Sequence, residues 1–449
     1  MLLVSPLHYF TDPILRAPTI GSILMCLAAG LVGVIVFLRK QSRLGEALSH
    51  ASYPGVITGV IVAGVVGLDS RYGGAISFLI ISGAFFTAML GTWAIHFMVK
   101  RLKVRADSAL CFVLSAFFGV GITLASQVQF TYSTLYQQIQ VYLYGQAATM
   151  TDMHITIYAV LALVIVFVVI LLYKEILIIT FDEEYAKSLG FQTKPIELLF
   201  FVLTVSAIVV GIRSVGVVLM SAMLIAPAAA ARQYTNKLYM MLLLSGFFGM
   251  LSGYFGNYLS AELTAYFSLV YPGSKFSIPT GPMIVVVAAL ICVFSLFFAP
   301  ERGMLIRIVR IARFRYTCTC ENVLKAMWRI GPRSDISFDD IVSYQAVSKG
   351  YLHFVLKRLI HNGWVKRTGA DVYKLTHDGS VSAAKIVRLH RLWEVYLADY
   401  LGVGSERVHR SAEEMEHIIT PELEEELTLL LNDPKQDPHH QPIPPREEL

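Results

Sequence analysis

Long apolar runs constrain this chain more than any other feature of its sequence. They cover residues 16–37, 54–68, 75–98, 108–126, 154–173, 195–212, 215–231, 238–258 and 282–299. A helix of about twenty apolar residues crosses the hydrocarbon core of a bilayer. The run at 54–68 is short and the region 211–230 is interrupted by glycine, so we predict eight or nine membrane-spanning helices within residues 1–300.

Lysine and arginine follow alternate runs and so mark one side of the predicted membrane domain. They stand after the first, third, fifth, seventh and last runs, at Arg39, Lys40, Arg43, Lys100, Arg101, Lys103, Arg105, Lys174, Arg232, Lys237, Arg302, Arg307, Arg310 and Arg313. Cytoplasmic loops carry an excess of positive charge. We therefore predict nine spans in a cell inner (plasma) membrane, with the N-terminus outside and the C-terminus in the cytoplasm.

The character of the sequence changes near residue 300. Charged residues make up 15% of the whole chain, against roughly a quarter in ordinary soluble domains, whereas the part after residue 300 has ordinary soluble composition. We predict an all-α polytopic membrane domain at 1–300, a basic linker at 301–319 and then a cytoplasmic α+β unit. That unit comprises a winged helix-turn-helix domain at 320–378 and a helical metal-sensing and dimerisation domain at 379–449.

Two ionisable residues beside the predicted spans are candidates for a transport pathway. An ionisable side chain in lipid is costly and is therefore a functional hypothesis by default. His50 lies between a positively charged loop and the Pro-Gly entry to the second run, and Asp107 opens the fourth run. For Asp107 a helix N-cap is an equally good explanation, because aspartate accepts hydrogen bonds from the free N–H groups of a helix start.

A short stretch, FDEEYAKSLGF, joins the fifth and sixth runs on the predicted cytoplasmic side. Its Glu184, Ala186 and Gly190 resemble the E-A-A-x3-G pattern of the coupling helix in ABC-importer permeases. The small residue permits close approach of a partner, and glycine ends the helix. The resemblance implies that this stretch docks into an ATPase subunit.

Four longer stretches resemble the zinc/manganese/iron family of ABC permeases. They are LRKQSRLGEALSHASYPGV (38–56), SVGVVLMSAMLIAPAAAAR (214–232), SIPTGPMIVV (277–286) and FFAPERG (297–303). The resemblance covers residues 10–303 and implies a second permease subunit, the same or paralogous, a cytoplasmic ABC ATPase and an external metal-binding protein. The chain has no Walker A motif, so we expect a transporter subunit that is not itself an enzyme.

The segment after the membrane domain has the pattern of a winged helix-turn-helix. RGMLIRIVRIARFRY (302–316) indicates either a basic amphipathic helix on the membrane surface or a plain helical connector. Helical spacing follows at 321–331, 337–347 and 348–365, and a hairpin pattern with glycine at its tip covers 365–379. In such a domain the third helix enters the major groove of DNA and the hairpin touches phosphate.

The third of these helices carries the candidate DNA-binding residues. The side chains expected to face DNA are Ser348, Lys349, Tyr351, His353 and Lys357. Further basic residues nearby, Arg358, Lys366 and Arg367, favour nucleic acid as the partner. The alternative is a winged-helix module that binds another protein.

Two later helices each present metal-binding side chains. In VRLHRLWEVY, His390 and Glu394 are four residues apart and share a helical face. In VHRSAEEMEH, Glu413, Glu416 and His417 have the spacing of one helical face. Imidazole with several carboxylates suits manganese or ferrous iron, although a pair of charged, solvated helices would show the same pattern.

RLHRLWE, VHRSAEEMEHIITPELEEEL and DPHHQPIP resemble the diphtheria-toxin-repressor/manganese-repressor family, across residues 320–444. The resemblance implies that six residues are metal ligands or lie in paired metal sites, namely His390, Glu394, His409, Glu413, Glu416 and His417. It also implies Fe²⁺ or Mn²⁺ as corepressor, a dimer, and operator DNA as partner. Some members have cysteine at the position of Glu413. The manganese-type members have glutamate there, as this chain does.

One ligand expected from that resemblance is missing. Family members also supply an acidic residue or methionine from the first helix of the domain or just before it, but the matching positions here are Asn322 and Lys325. Either Glu321 or Cys320 replaces it, or one of the paired sites is weakened or lost.

Together these features predict a permease subunit of an ATP-driven iron, manganese or zinc importer with a C-terminal metal-dependent repressor. A DNA-binding domain tethered to a membrane searches a genome poorly, so we hypothesise proteolytic release within residues 300–320. One alternative is a C-terminal domain that senses metal, gates transport and binds no DNA. Another is an ion-coupled secondary transporter, which would work without an ATPase.

Overall fold

The computed structural model describes residue 5 and residues 7–66, 73–131, 133–271, 277–331, 334–344 and 347–446. The chain divides into two compact units, Met1–Ile306 and Arg307–Leu449. The described part of the first unit is helical, whereas the second contains helices and a small sheet. The predicted fold class, an all-α membrane domain followed by an α+β unit, is confirmed.

The membrane unit is built from long apolar helices with short ones between them. In chain order they are α1 (His8–Thr11), α2 (Pro13–Leu38), α3 (Ser42–Val65), α4 (Gly73–Lys100), α5 (Ala106–Thr131), α6 (Ser133–Tyr144), α7 (Asp152–Leu171), α8 (Tyr173–Phe181), α9 (Glu183–Ser188), α10 (Thr193–Val215), α11 (Val217–Arg232), α12 (Leu238–Val270) and α13 (Thr280–Phe298). Over the described residues, 8 helices are long and apolar enough to cross a membrane. The seventh predicted run forms α11, which has 16 residues and is shorter than these.

The second span begins earlier than the apolar run predicted. α3 starts at Ser42 rather than at residue 54, and it continues through Pro54 without a break. Membrane helices tolerate proline, because neighbouring helices compensate for the lost backbone hydrogen bond. Gly55 meets the backbone of Gly83 on α4 so closely that a Cβ there would overlap the Gly83 carbonyl. The Pro-Gly pair therefore serves helix packing and does not mark a helix start.

α2 and α3 lie in the interior of the membrane unit. In each of them 72% of the most apolar stretch is buried, against 22% in α4, α5 and α7. α12 packs on α2 through the small residues of GMLSG, where a Cβ on Gly253 would come within 2.6 Å of the Ser22 carbonyl oxygen. Small residues let the two backbones approach closely, which is the main source of helix attraction in lipid.

The second unit has the element order of a winged helix. It contains α14 (Met304–Ile330), β1 (Ile336–Ser337), α15 (Phe338–Tyr344), α16 (Lys349–His361), β2 (Val365–Arg367), β3 (Val372–Leu375), α17 (His377–Asp399), α18 (Ser405–Met415) and α19 (Pro421–Leu430). The strands form an antiparallel sheet in the order β1-β3-β2. The hairpin of β2 and β3 lies where the sequence predicted it, whereas β1, a strand of 2 residues, escaped prediction because so short a strand has no periodicity.

α14 joins the predicted basic linker and the first helix of the winged-helix domain into one element. It runs without interruption from Met304 to Ile330. Its last part packs Val323 and Met327 into the winged-helix core, whereas most of its first part is exposed. Burial raises the pKa of the Cys320 thiol in that core, which makes it a poor metal ligand at neutral pH.

Candidate metal centre and associated surfaces

α17 carries two of the predicted ligands on one buried face. The Thr376 side chain caps the helix by accepting a hydrogen bond from the Gly379 N–H. His390 and Glu394 follow one turn apart, with side chains 1% and 2% exposed. Buried ionisable groups are costly unless they are paired, so this face requires a partner from another element.

α18 supplies that partner through His409. Its Nδ1 lies 2.7 Å from Glu394 Oε1 and 3.1 Å from His390 Nε2. His390 Nε2 lies 3.2 Å from the same Glu394 oxygen. The His409 side chain is half-exposed, so the set is reachable from solvent. We name His390, Glu394 and His409 the three-residue cluster.

The three-residue cluster has the donor atoms and spacing of a divalent metal site. Bonds of about 2.0–2.2 Å to imidazole and carboxylate hold neighbouring ligand atoms roughly 3.0–3.5 Å apart. Two of the three separations, 3.1 and 3.2 Å, have that size. Two nitrogens and one oxygen without thiolate suit manganese, ferrous iron or zinc.

Hydrogen bonds within the cluster favour the charged forms of its buried groups. Burial by itself would raise the pKa of Glu394, but hydrogen bonds from His390 and His409 outweigh burial and lower that pKa to about 2. Burial would likewise lower the pKa of His390, but hydrogen bonds to Glu394 and Glu416 outweigh it and raise that pKa. The raised pKa favours the protonated imidazole, so a cation bound by His390 would displace a proton.

The other three predicted ligands do not join the cluster. α18 ends at Met415, so Glu416 and His417 lie in the turn that follows. Glu413 is half-exposed, and its Oε1 lies 3.6 Å from His409 Nε2. The contacts of the three residues differ, since Glu413 faces His409 whereas Glu416 and His417 reach α14.

Glu416 and His417 contact α14, and Glu416 Oε2 also lies 2.5 Å from His390 Nδ1. Glu416 is buried, and both of its carboxylate oxygens accept hydrogen bonds from Lys325 Nζ, at 2.6 and 2.9 Å. His417 Nδ1 lies 2.5 Å from Glu321 Oε2. Glu321, one of the two residues expected to replace the missing ligand, thus reaches a predicted ligand. The Lys325–Glu416 contact had no signal in the sequence beyond the departure from the family pattern at Lys325.

The segment DPHHQPIP folds back beside the cluster. The Asp437 carboxylate accepts hydrogen bonds from the backbone N–H groups of His439 and Gln441, both at 2.8 Å, and pairs with Arg391 on α17. These contacts hold the His439 ring 6.5 Å from the His409 ring, centroid to centroid. The sequence pattern predicted no site residue in this segment, because only its turn in three dimensions brings His439 near α18.

α16 exposes the residues predicted to face DNA. All five, Ser348, Lys349, Tyr351, His353 and Lys357, are exposed. Lys349, His353 and Lys357 are spaced four residues apart, so they line one side of the helix. The opposite side is buried through Leu352 and Leu356. This distribution is that of a docked helix with one exposed, basic face, on which Lys349 lies 3.6 Å from Asp339 and His353 packs on Phe338.

His50 lies inside the membrane unit. It is 8% exposed and packs edge-on against Phe118, with ring centroids 4.7 Å apart. Its Nδ1 has no hydrogen-bond partner among the residues that the structure describes. Glu46 stands one turn earlier on α3 and is exposed, so the pair shares a helical face. Sequence reasoning missed Glu46, although the spacing of four residues was visible.

Asp107 lies at the start of a span and not within one. It occupies the first turn of α5, and its Oδ1 is 2.6 Å from Arg43 Nη1. Its side chain is more than half-exposed. A carboxylate near a helix N-terminus interacts favourably with the free N–H groups. These contacts favour the helix-start explanation over a place in a transport pathway.

The predicted coupling stretch forms α9, a helix of 6 residues. Asp182 caps it by accepting a hydrogen bond from the Tyr185 N–H at 2.8 Å. Ala186 is buried, Glu184 is exposed, and Gly190 has a φ of 84°, a left-handed conformation that favours glycine. The helix thus presents a carboxylate outward beside a tight turn.

Known proteins match both parts of the chain. Residues 11–299 match the model of the ABC 3 transport family, and residues 376–445 match that of the iron dependent repressor, metal binding and dimerisation domain. The chain is 38% identical over 442 residues to a probable metal transport system membrane protein of Chlamydia pneumoniae, covering 97% of this chain and 98% of that protein.

Two further matches extend this result. The manganese transport system membrane protein MntC of Bacillus subtilis is 31% identical over 379 residues, which is 84% of this chain and 82% of that protein. Among solved structures, PsaBC from Streptococcus pneumoniae in complex with Fab is similar, with a TM-score of 0.55 and 27% identity. That similarity covers 67% of this chain and 98% of the PsaBC chain.

Proposed function

This chain belongs to the ABC 3 transport family, and we propose from that premise that it is the permease subunit of an ATP-driven importer of iron, manganese or zinc. Relatives named as metal and manganese transport proteins support the class of cargo. The observation that carries this proposal is His50, a buried histidine of α3 whose Nδ1 has no hydrogen-bond partner among the described residues. A free imidazole nitrogen is a good ligand for a first-row divalent ion.

The permease would act with other subunits. The exposed carboxylate of Glu184 on α9 supports docking of an ATPase, which hydrolyses ATP on behalf of the permease. An external metal-binding protein would deliver the ion, and a second permease subunit would complete the pathway. The cytoplasmic side would then be the one that carries the lysine and arginine loops, together with the C-terminal unit.

Uptake by the full chain in proteoliposomes, with its ATPase, tests the transport proposal. We expect ATP-dependent entry of Mn²⁺ that is largely lost in His50→Ala. Glu184→Gln should weaken the ATP-driven uptake, whereas Glu183→Gln is the matched control, because Glu183 pairs with Lys187 within the helix. Uptake that persists without the ATPase would contradict the proposal and support a secondary transporter.

For the C-terminal unit we propose a metal-dependent repressor that takes Fe²⁺ or Mn²⁺ as corepressor. The three-residue cluster supports this, because a bound cation would hold α17 and α18 together by ligands from both. The exposed basic face of α16 supports operator DNA as the partner. The match of residues 376–445 to a metal binding and dimerisation domain supports a dimer.

Gel shift of the full chain in detergent, with DNA from candidate uptake promoters, tests this half. We expect Mn²⁺ to strengthen DNA binding, and Lys357→Ala to weaken it and to reduce the slope of affinity against salt by about one. Lys385→Ala, an exposed lysine of α17, is the matched control. A C-terminal unit that only gates transport would bind Mn²⁺ without retaining any DNA.

A further inference from the structure

Glu416 and Lys325 form an ion pair in the interior of the C-terminal unit. Their side chains are 0% and 7% exposed. The Lys325 ammonium donates to both carboxylate oxygens, at 2.6 and 2.9 Å. Two charges buried this deeply persist only when each neutralises the other in good geometry. The carboxylate therefore already has a cation beside it, supplied by the chain.

Glu416 also makes a contact toward the three-residue cluster. Its Oε2 accepts a hydrogen bond from His390 Nδ1 at 2.5 Å. This hydrogen bond keeps a proton on Nδ1 and directs Nε2 at Glu394 and His409, so that Nε2 is the nitrogen for an ion. Metal-binding histidines commonly donate their second ring nitrogen to a carboxylate, which fixes the tautomer and the orientation of the ring.

We propose that Lys325 takes the place of a second metal ion, so that Glu416 positions His390 and does not itself bind metal. This inference rests on the proposed metal-sensing function of the C-terminal unit. The unit then binds one regulatory ion per chain, at the three-residue cluster. The contacts from His390 through Glu416 to Lys325 connect that ion to α14, the first helix of the winged-helix domain.

The remaining side chains do not make a second site. An ion held by Glu416 would lie beside the Lys325 ammonium, and the two positive charges would repel each other in a region with little water to screen them. Glu413 lies on the half-exposed side against His409. His417 uses Nδ1 to contact Glu321, and its Nε2, which has no hydrogen-bond partner in the described part of the chain, lies 3.5 Å from Glu416 Oε1. That nitrogen is the one His417 atom left for an ion, and the carboxylate beside it is already neutralised by Lys325.

Counting bound Mn²⁺ per chain by equilibrium dialysis of the full chain in detergent tests this inference. We expect His409→Ala to lose one ion relative to the wild-type chain. His417→Gln should bind as many ions as the wild type, like the control Lys385→Met on the exposed side of α17. Loss of one ion in His417→Gln would show a second site and overturn the inference.

The positioning role of Glu416 needs a variant that keeps the fold. Lys325→Met combined with Glu416→Gln replaces a buried ion pair by a neutral pair of similar size, which proteins commonly tolerate. We expect this double variant to bind as many ions as the wild type, with the dissociation constant of the cluster raised about tenfold to a hundredfold. The electron paramagnetic resonance spectrum of the bound Mn²⁺ should change as well, since His390 loses its charged partner.

Two results would contradict this role, namely an unchanged dissociation constant and the loss of one ion in the double variant. Lys325→Arg keeps the positive charge and should retain wild-type affinity. Counting bound ions requires no DNA, so this experiment tests the one-ion inference separately from the repressor proposal. A wild-type chain that retains no DNA with Mn²⁺ would remove the repressor function and leave the count of one cluster ion intact.

Discussion

At the scale of single residues, the proposed metal ion would compete with a proton for His390. Hydrogen bonds to Glu394 and Glu416 outweigh burial and raise the His390 pKa above its ordinary value. Glu394 has a pKa of about 2 and stays ionised at any pH of interest. The proton that a metal must displace therefore comes from the imidazole and not from the carboxylate.

The affinity of the cluster for Mn²⁺ is therefore expected to depend on pH. Below the raised pKa of His390, each unit decrease in pH should weaken binding about tenfold for the one proton displaced. Calorimetric titrations in buffers of different ionisation enthalpy, between about pH 6 and about pH 8, measure both affinity and proton release. Subtracting His390→Ala, which lacks the titrating group, isolates this site. Affinity that stays constant across this range would contradict the assignment.

At the scale of secondary-structure elements, the packing of α12 on α2 depends on residues without side chains. A Cβ on Gly249 would overlap the Cys26 carbonyl of α2. Gly119 on α5 is also within a helix, but a Cβ there meets nothing within 4 Å. Replacing either glycine changes the helix propensity, but only at Gly249 does the new side chain also disturb a contact between helices. Comparing the two positions therefore distinguishes the two effects.

Gly249→Leu should destabilise the membrane unit, whereas Gly119→Leu should not. Forcing a bulky side chain into a packed contact costs about 1–3 kcal/mol or more, because α12 must move away from α2. Thermal unfolding of the full chain in detergent should show a lower midpoint for the first variant. Equal midpoints for the two variants would mean that the α2–α12 contact is looser than the structure has it.

α14 bears on the hypothesis of proteolytic release within residues 300–320. A protease requires an extended segment, and most of this range is helical because α14 begins at Met304. The residues between α13 and α14, 299–303, are not in a helix. We therefore expect release to begin in this short segment and to leave α14 with the C-terminal fragment.

Limited trypsin digestion of the full chain in detergent tests this expectation. Arginines stand on both sides of the start of α14, at Arg302, Arg307, Arg310, Arg313 and Arg315. Cleavage after Arg302 should come first. Ala312→Pro breaks the helix at a cost of about 3 kcal/mol and should open new cuts near Arg310 and Arg313. Early cutting at those residues in the wild-type chain would show that α14 is not a stable helix.

At the scale of the whole molecule, one chain carries a metal pathway and a metal sensor in two separate units. His50 belongs to the first unit and His390 to the second. If the sensor represses genes and does not gate transport, each function should survive the loss of the other. In our proposal both functions use the same class of ion.

Substitution of each histidine should therefore remove one function only. We expect His390→Ala to lose Mn²⁺-dependent DNA retention and to keep ATP-driven uptake at the wild-type rate. His50→Ala should show the reverse, and so each variant is the control for the other. A changed uptake rate in His390→Ala would favour the gating alternative. Uptake in proteoliposomes and gel shift with the same preparations measure both functions.

The sequence by itself determined the features that depend on local composition. Apolar runs of sufficient length predict spans wherever they stand, and the winged-helix order followed from short-range periodicity and turn residues. The types of ligand were also readable, because His390 and Glu394 lie on a single helix. The sequence could not fix where α3 starts or where α18 ends, since burial against neighbouring helices overrides local signals there.

Only the tertiary structure decided which of the six candidate ligands meet. His409 joins His390 and Glu394 because α18 packs on α17, whereas Glu416 reaches His390 from outside and is neutralised by Lys325, a residue 91 positions earlier in the chain. Such a contact leaves no periodicity in the sequence, since it arises when the chain folds back on itself. Physical proximity of charges, and not their spacing along the chain, separates the cluster that fits a metal from the carboxylate that is already neutralised.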